Sequence, residues 1–105
     1  MARTDTNPVR LIQRDLLTTF RQLPEDTPYR EEAIQAVQQV DEVRISNLFR
    51  QAPQLTAMDK RYIVCFDAKL TVEQVATLFR IAPASVYTVR YRMRKKFPSS
   101  VSFPY

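Results

Sequence analysis

The chain has 105 residues, enough for one compact domain or a small domain with a helical appendage, and its 45% apolar content suits a small all-α core. It holds no histidine, no glycine and one cysteine, which excludes the commonest general base, a glycine-rich phosphate loop, an intramolecular disulfide and a cysteine-ligated zinc site. The net charge of +5 is uneven: residues 1–53 carry seven Lys/Arg against eight Asp/Glu, and residues 54–105 carry nine against three. The second half therefore predicts a polyanionic partner that the first half does not share.

No pair of carboxylates is spaced for catalysis, so the expectation is a protein that is not an enzyme and uses no metal or cofactor. No apolar stretch reaches the roughly 18 residues of a membrane span, and Met1-Ala2-Arg3-Thr4-Asp5 has no signal-peptide hydrophobic region. With a lone cysteine in the apolar run Tyr62-Ile63-Val64-Cys65-Phe66, a cytoplasmic protein with a buried thiol is expected.

The first helix is predicted to start at Pro8 behind the cap Asn7. Val9, Ile12, Leu16, Phe20 and Leu23 then recur at three- and four-residue steps along one face, until Pro24-Glu25-Asp26 ends it. Thr27-Pro28 restarts a helix with Glu31 and Glu32 at its positive end, running to about Arg50. Asp41, Arg44 and Asn47 interrupt any apolar seam, so a kink or a change of buried face is expected between Asp41 and Ser46. Gln51-Ala52-Pro53-Gln54 is the candidate boundary, since proline stops the helix and the charge balance changes there.

Thr56 and Asp59 form an acidic capping box for a third helix, with Met58, Tyr62, Ile63, Cys65 and Phe66 as its core face. Lys69 and Leu70 close it. Thr71 and Gln74 form a second box, for a short helix whose apolar side is Val72, Val75, Ala76, Leu78 and Phe79. The turn Arg80-Ile81-Ala82 leads to Pro83 at the first position of a last helix. No strand pattern or repeat is present. The tail from Pro98 to Tyr105 is either loose or laid on the surface through Phe103 and Tyr105.

Two short helices meeting at a tight turn need a small residue at the crossing and apolar side chains filling the angle. Ala76 supplies the first; Val75, Phe79, Ile81, Val86 and Val89 supply the second. At about 100° per residue, Val86, Val89, Met93 and Phe97 share one stripe of the last helix, which predicts the core side. Ala84, Thr88, Tyr91 and Lys95 lie opposite, flanked by Ser85, Tyr87 and Arg92. Five of the seven residues from Arg90 to Lys96 are basic.

The stretch Glu73-Gln74-Val75-Ala76, Leu78-Phe79, Ile81-Ala82-Pro83, Ser85-Val86-Tyr87 and Arg90 to Phe97 resembles the C-terminal helix-turn-helix domain of LuxR-type bacterial transcription regulators, and is similar to region 4 of sigma-70-type factors. The resemblance covers about Leu55 to Phe97. It implies an all-α, four-helix-type helix-turn-helix domain (of the winged-helix-like superfamily, without the wing), preceded here by a helical hairpin. It also implies that 71–79 supports and 83–97 recognises. Arg80 replaces the usual glycine or asparagine of the turn, Ala82 the usual serine cap, and Lys69 a common glycine.

On this reading the chain is a transcription regulator that binds double-stranded DNA. Ala84, Ser85, Tyr87, Thr88, Tyr91, Arg92 and Lys95 face the major groove, while Arg94 and Lys96 suit its phosphates. Arg90, near the buried stripe, is expected to snorkel or form an internal ion pair. The helices of 9–50 either pair two copies of the chain or pack on the domain's own core. Two other readings share the pattern: a sigma-like module that binds promoter and RNA polymerase, and an interaction adaptor of the same fold without DNA binding.

Overall fold

A computed structural model describes residues 7–101 and 103–105. The reading of Met1 to Asp5 lies outside them. Six helices follow in order: α1 (Pro8–Arg21), α2 (Arg30–Gln38), α3 (Glu42–Gln51), α4 (Ala57–Asp67), α5 (Val72–Phe79) and α6 (Pro83–Lys95). No strand occurs among the described residues, so the architecture is all-α. No helix there is long and apolar enough to cross a membrane.

Most helix starts are written in local chemistry. The Asn7 side chain accepts the Val9 N–H at 2.9 Å ahead of Pro8. Both capping boxes close reciprocally, Thr56 with Asp59 at 3.1 and 2.9 Å and Thr71 with Gln74 at 3.1 and 2.7 Å. Each satisfies two N–H groups that a helix start otherwise leaves without partners. Ala82 offers no side-chain cap, and α6 begins on the preset φ of Pro83 alone.

The expected second helix is two helices. The chain breaks at Gln39-Val40-Asp41, where Asp41 caps α3 by accepting the Arg44 N–H at 3.0 Å. The Asp41 N–H, freed from any helix ladder, donates to Asp67 at 2.9 Å. The start of α2 is also later than Thr27-Pro28. Tyr29 takes a left-handed conformation (φ 66°, ψ 10°), and helical structure begins at Arg30.

The ends of α4 and α5 repeat one motif. Beyond α4 the Leu70 N–H reaches the Cys65 carbonyl at 3.2 Å and the Lys69 N–H reaches Phe66 at 3.0 Å. Beyond α5 the Ile81 N–H reaches Ala76 at 3.0 Å and the Arg80 N–H reaches Thr77 at 3.4 Å. Both are Schellman closures, which need a left-handed residue outside the helix. Lys69 (φ 61°) and Arg80 (φ 57°) fill that role in a chain without glycine.

A single apolar core runs through all six helices. Val9, Leu16 and Phe20 of α1, Val37 of α2 and Ile45 of α3 join Ile63, Val64 and Cys65 of α4, Val75 of α5, and Val86 and Met93 of α6. Ala52 and Leu55, on either side of the turn at Pro53, are buried in the same cluster. The N-terminal helices thus bury their stripes on the C-terminal helices of their own chain. Met58 corrects one expectation: it is half exposed, at 50%, and faces away from the core. Cys65 is buried, and burial pushes its thiol pKa well up, so it packs as a small hydrophobe.

Candidate nucleic-acid interface

The turn between α5 and α6 fixes the candidate site. With Arg80 left-handed (φ 57°, ψ 47°), the chain reverses within three residues, and Ile81 turns inward against the core. Buried Ala76 gives the close approach at the crossing, and Val75 and Val86 fill the angle, with Phe79, Ile81 and Val89 partly buried beside them.

On α6 the two sides separate cleanly. Val86 and Met93 are buried and Val89 is half-buried; the helix ends at Lys95, short of the expected Phe97, which is buried just beyond it. Ala84, Tyr87, Thr88, Tyr91, Arg92, Arg94 and Lys95 are exposed; Ser85 and Lys96 are half-buried. Tyr87 and Tyr91 are each 59% exposed, which places both rings outward and not against the supporting helices.

An aromatic ladder behind α6 holds its angle. The Phe79 and Tyr62 rings stack at 4.0 Å between centroids, and Tyr62 continues to Phe66 at 6.1 Å. The Arg90 guanidinium lies over the Phe66 ring, 4.9 Å from its centroid. That contact replaces the expected snorkelling or ion pair: the planar cation is held by the ring face, and its Nε has no hydrogen-bond partner.

The basic run divides further by what each side chain touches. Lys95 places its ammonium 4.4 Å from the Tyr91 ring centroid. An Arg94 Nη2–H donates to the Tyr105 carbonyl at 3.4 Å. Lys96 forms an ion pair with Asp59, and the Gln54 amide donates to the Lys96 carbonyl, so the end of α6 is clamped to the start of α4. The Lys96 ammonium is thus paired within its own protein. Burial alone raises the Asp59 pKa, but hydrogen bonds from Lys96 and Thr56 outweigh it and hold the carboxyl below its usual range.

The tail is laid down, not loose. Phe103 packs on Phe97 at 5.1 Å and meets Tyr105 edge-on at 5.3 Å. The Tyr105 hydroxyl donates to Asp67 Oδ1 at 2.5 Å. Asp67, whose side chain is 1% exposed, also accepts from Arg44 Nε at 2.9 Å and Arg44 Nη2 at 2.7 Å. Burial and the Asp67 carboxylate push the Tyr105 phenol pKa well up. This anchor ties α3, α4 and the tail together, and the sequence patterns did not anticipate it. One signal pointed to it. An acid in the last turn of a helix opposes the helix dipole, so Asp67 at the end of an apolar run needs partners from elsewhere.

No protein-family model, curated protein or solved structure matches this chain. Among the described residues no group of three or more His, Cys, Asp or Glu is placed to hold a metal ion. The outward face of α6 offers hydroxyl, methyl, phenol and cationic groups.

Proposed function

We propose that the protein is a DNA-binding transcription regulator that lays α6 in the major groove of a duplex, with α5 as its support, and that it acts without catalysis or cofactor. The carrying observation is the opposition on α6: Val86 and Met93 are sunk in the core while Thr88, Tyr91 and Lys95 stand in solvent on the other side. The resemblance of 55–97 to LuxR-type domains supports the same reading, as does the concentration of positive charge in the second half. A single such domain covers few base pairs, so two copies on neighbouring half-sites supply the working affinity. The inner stripes of α1, α2 and α3 are taken by the chain's own core. A second copy therefore meets their outer faces, where Leu11 and Val43 are exposed. The target places the protein in the cytoplasm.

Fluorescence anisotropy with labelled duplex DNA across a salt series tests this. Affinity is expected to fall linearly on a log–log scale, with a slope of roughly −0.9 for each phosphate neutralised. The triple variant Arg92→Ala, Arg94→Ala, Lys95→Ala keeps its helical circular dichroism and flattens that slope by about two to three. Equal binding by variant and wild type removes α6 from the interface. Salt-independent binding, or none, removes DNA as the partner.

A further inference from the structure

The basic run of α6 looks uniform in sequence, but the structure treats its members unequally. Arg90 is stacked on Phe66, Arg94 donates to the tail carbonyl of Tyr105, Lys95 rests on Tyr91, and Lys96 pairs with Asp59. Arg92 is exposed and, among the described residues, has no hydrogen bond, ion pair or ring contact. Of these five cations it is the one without a partner among the described residues.

Base-edge chemistry narrows what such a helix can read. Adenine is read in the major groove by the amide of Asn or Gln, and cytosine by the carboxylate of Asp or Glu. The α6 sequence PASVYTVRYRMRK contains none of the four. What its outward face offers is a guanidinium at Arg92, which matches guanine O6 and N7, and methyl groups at Ala84 and Thr88, which match the thymine C5-methyl. Thr88 and Arg92 are four residues apart on adjoining lines of the helix, about 6 Å along its axis. Residues three to four apart on a helix in the major groove reach neighbouring bases, so this spacing puts the two contacts within about one or two base steps.

Resting on the duplex-binding reading above, we infer that Arg92 is the specificity-determining residue of α6, pairing with the O6 and N7 edge of a guanine that lies one or two base pairs from a thymine met by Thr88. Lys95 and Arg94 then serve the phosphates from their present positions, and Arg90 and Lys96 hold the helix. Bare phosphate binding by Arg92 is the competing role.

The test begins with selection of bound sites from random duplexes by the full chain, followed by base analogues in the selected site. Replacing the key guanine by 7-deazaguanine, which lacks the N7 acceptor, is expected to weaken wild-type binding about fivefold or more. Arg92→Ala, a surface change, binds the guanine and 7-deazaguanine duplexes equally, whereas Arg94→Ala keeps the wild-type difference. Uracil in place of the partner thymine costs the wild type about fourfold, the worth of one buried methyl. The inference is overturned if selection returns no fixed guanine. It is also overturned if Arg92→Ala weakens all duplexes alike, flattens the salt slope by about one and keeps the 7-deazaguanine effect. Absence of duplex binding at any salt is a different result, and it removes the underlying function as well.

Discussion

The helices of 8–51 and those of 57–95 share one core, yet they are specified in different ways. In the C-terminal three, two helix starts carry reciprocal capping boxes and two helix ends carry Schellman closures. Their boundaries follow from residues within a few positions of each other. In the N-terminal three, α2 starts on a left-handed Tyr29 with no side-chain cap. The break before α3 is held in place by Asp67, 26 residues away. Charge differs in the same sense: the N-terminal half is near neutral and the C-terminal half strongly basic. One half carries most of the positive charge, and both contribute buried apolar area to the shared core. Packing is shared; chemistry is not.

The largest effect is expected where the two halves are joined. Asp67→Ala removes a buried carboxylate from Arg44, from the Asp41 N–H and from the Tyr105 hydroxyl at once. Breaking such a pair costs about 3 kcal/mol, toward the low end because Arg44 is half exposed and regains water. Calorimetry is expected to show Tm falling by roughly 12 °C or more. Because the core is continuous, the lowered transition remains a single one. Two separated transitions would mean that the halves unfold independently, and the comparison drawn above would break.

A smaller effect, of opposite sign, probes the glycine-free closures. Left-handed backbone costs a non-glycine residue roughly 1–2 kcal/mol, while glycine returns about 0.5–1 kcal/mol of that through its freedom in the unfolded chain. Lys69→Gly and Arg80→Gly are therefore each expected to stabilise by up to about 1 kcal/mol, read as a rise in denaturant midpoint with unchanged m. A midpoint at or below the wild-type value would show that these side chains, not only their backbone angles, hold the turns.

The smallest effect is electrostatic. The Asp59 carboxyl is depressed in the folded state, so its contribution is complete above the ordinary value of 3.8 and is lost as pH falls through the lower folded value. Acid titration of stability between about pH 5 and pH 2 is expected to reveal a loss of about 1 kcal/mol or less from this group. Lys96→Met removes one hydrogen-bonding partner and flattens that dependence. An unchanged acid limb would show that Lys96 does not clamp α6 to α4 in solution.

Which side of α6 is buried and which is exposed was legible in advance because α6 is amphipathic at a fixed period. Val86, Val89 and Met93 had to share a stripe, and their burial leaves Thr88, Tyr91 and Lys95 in water. What each cation does was not legible. Arg90, Arg92, Arg94, Lys95 and Lys96 read alike in sequence, and only neighbours from α4 and the tail tell most of them apart. Met58 misled for a related reason. An apolar residue in the first turn of a helix can point either way, and the capping box set the rotation of α4 so that Tyr62, Cys65 and Phe66 took the core.

By itself the sequence determined α1, α4, α5 and α6, the two-helix turn and the uneven charge. Caps, prolines and apolar periods act over three or four residues and need nothing more distant. Tertiary structure alone decided the break between α2 and α3, the seating of the tail and the separate fates of the basic side chains. Each depends on partners far apart in the chain, as Asp67 is from Asp41 and Tyr105, and such pairs are chosen by whichever packing leaves no buried charge without a hydrogen bond.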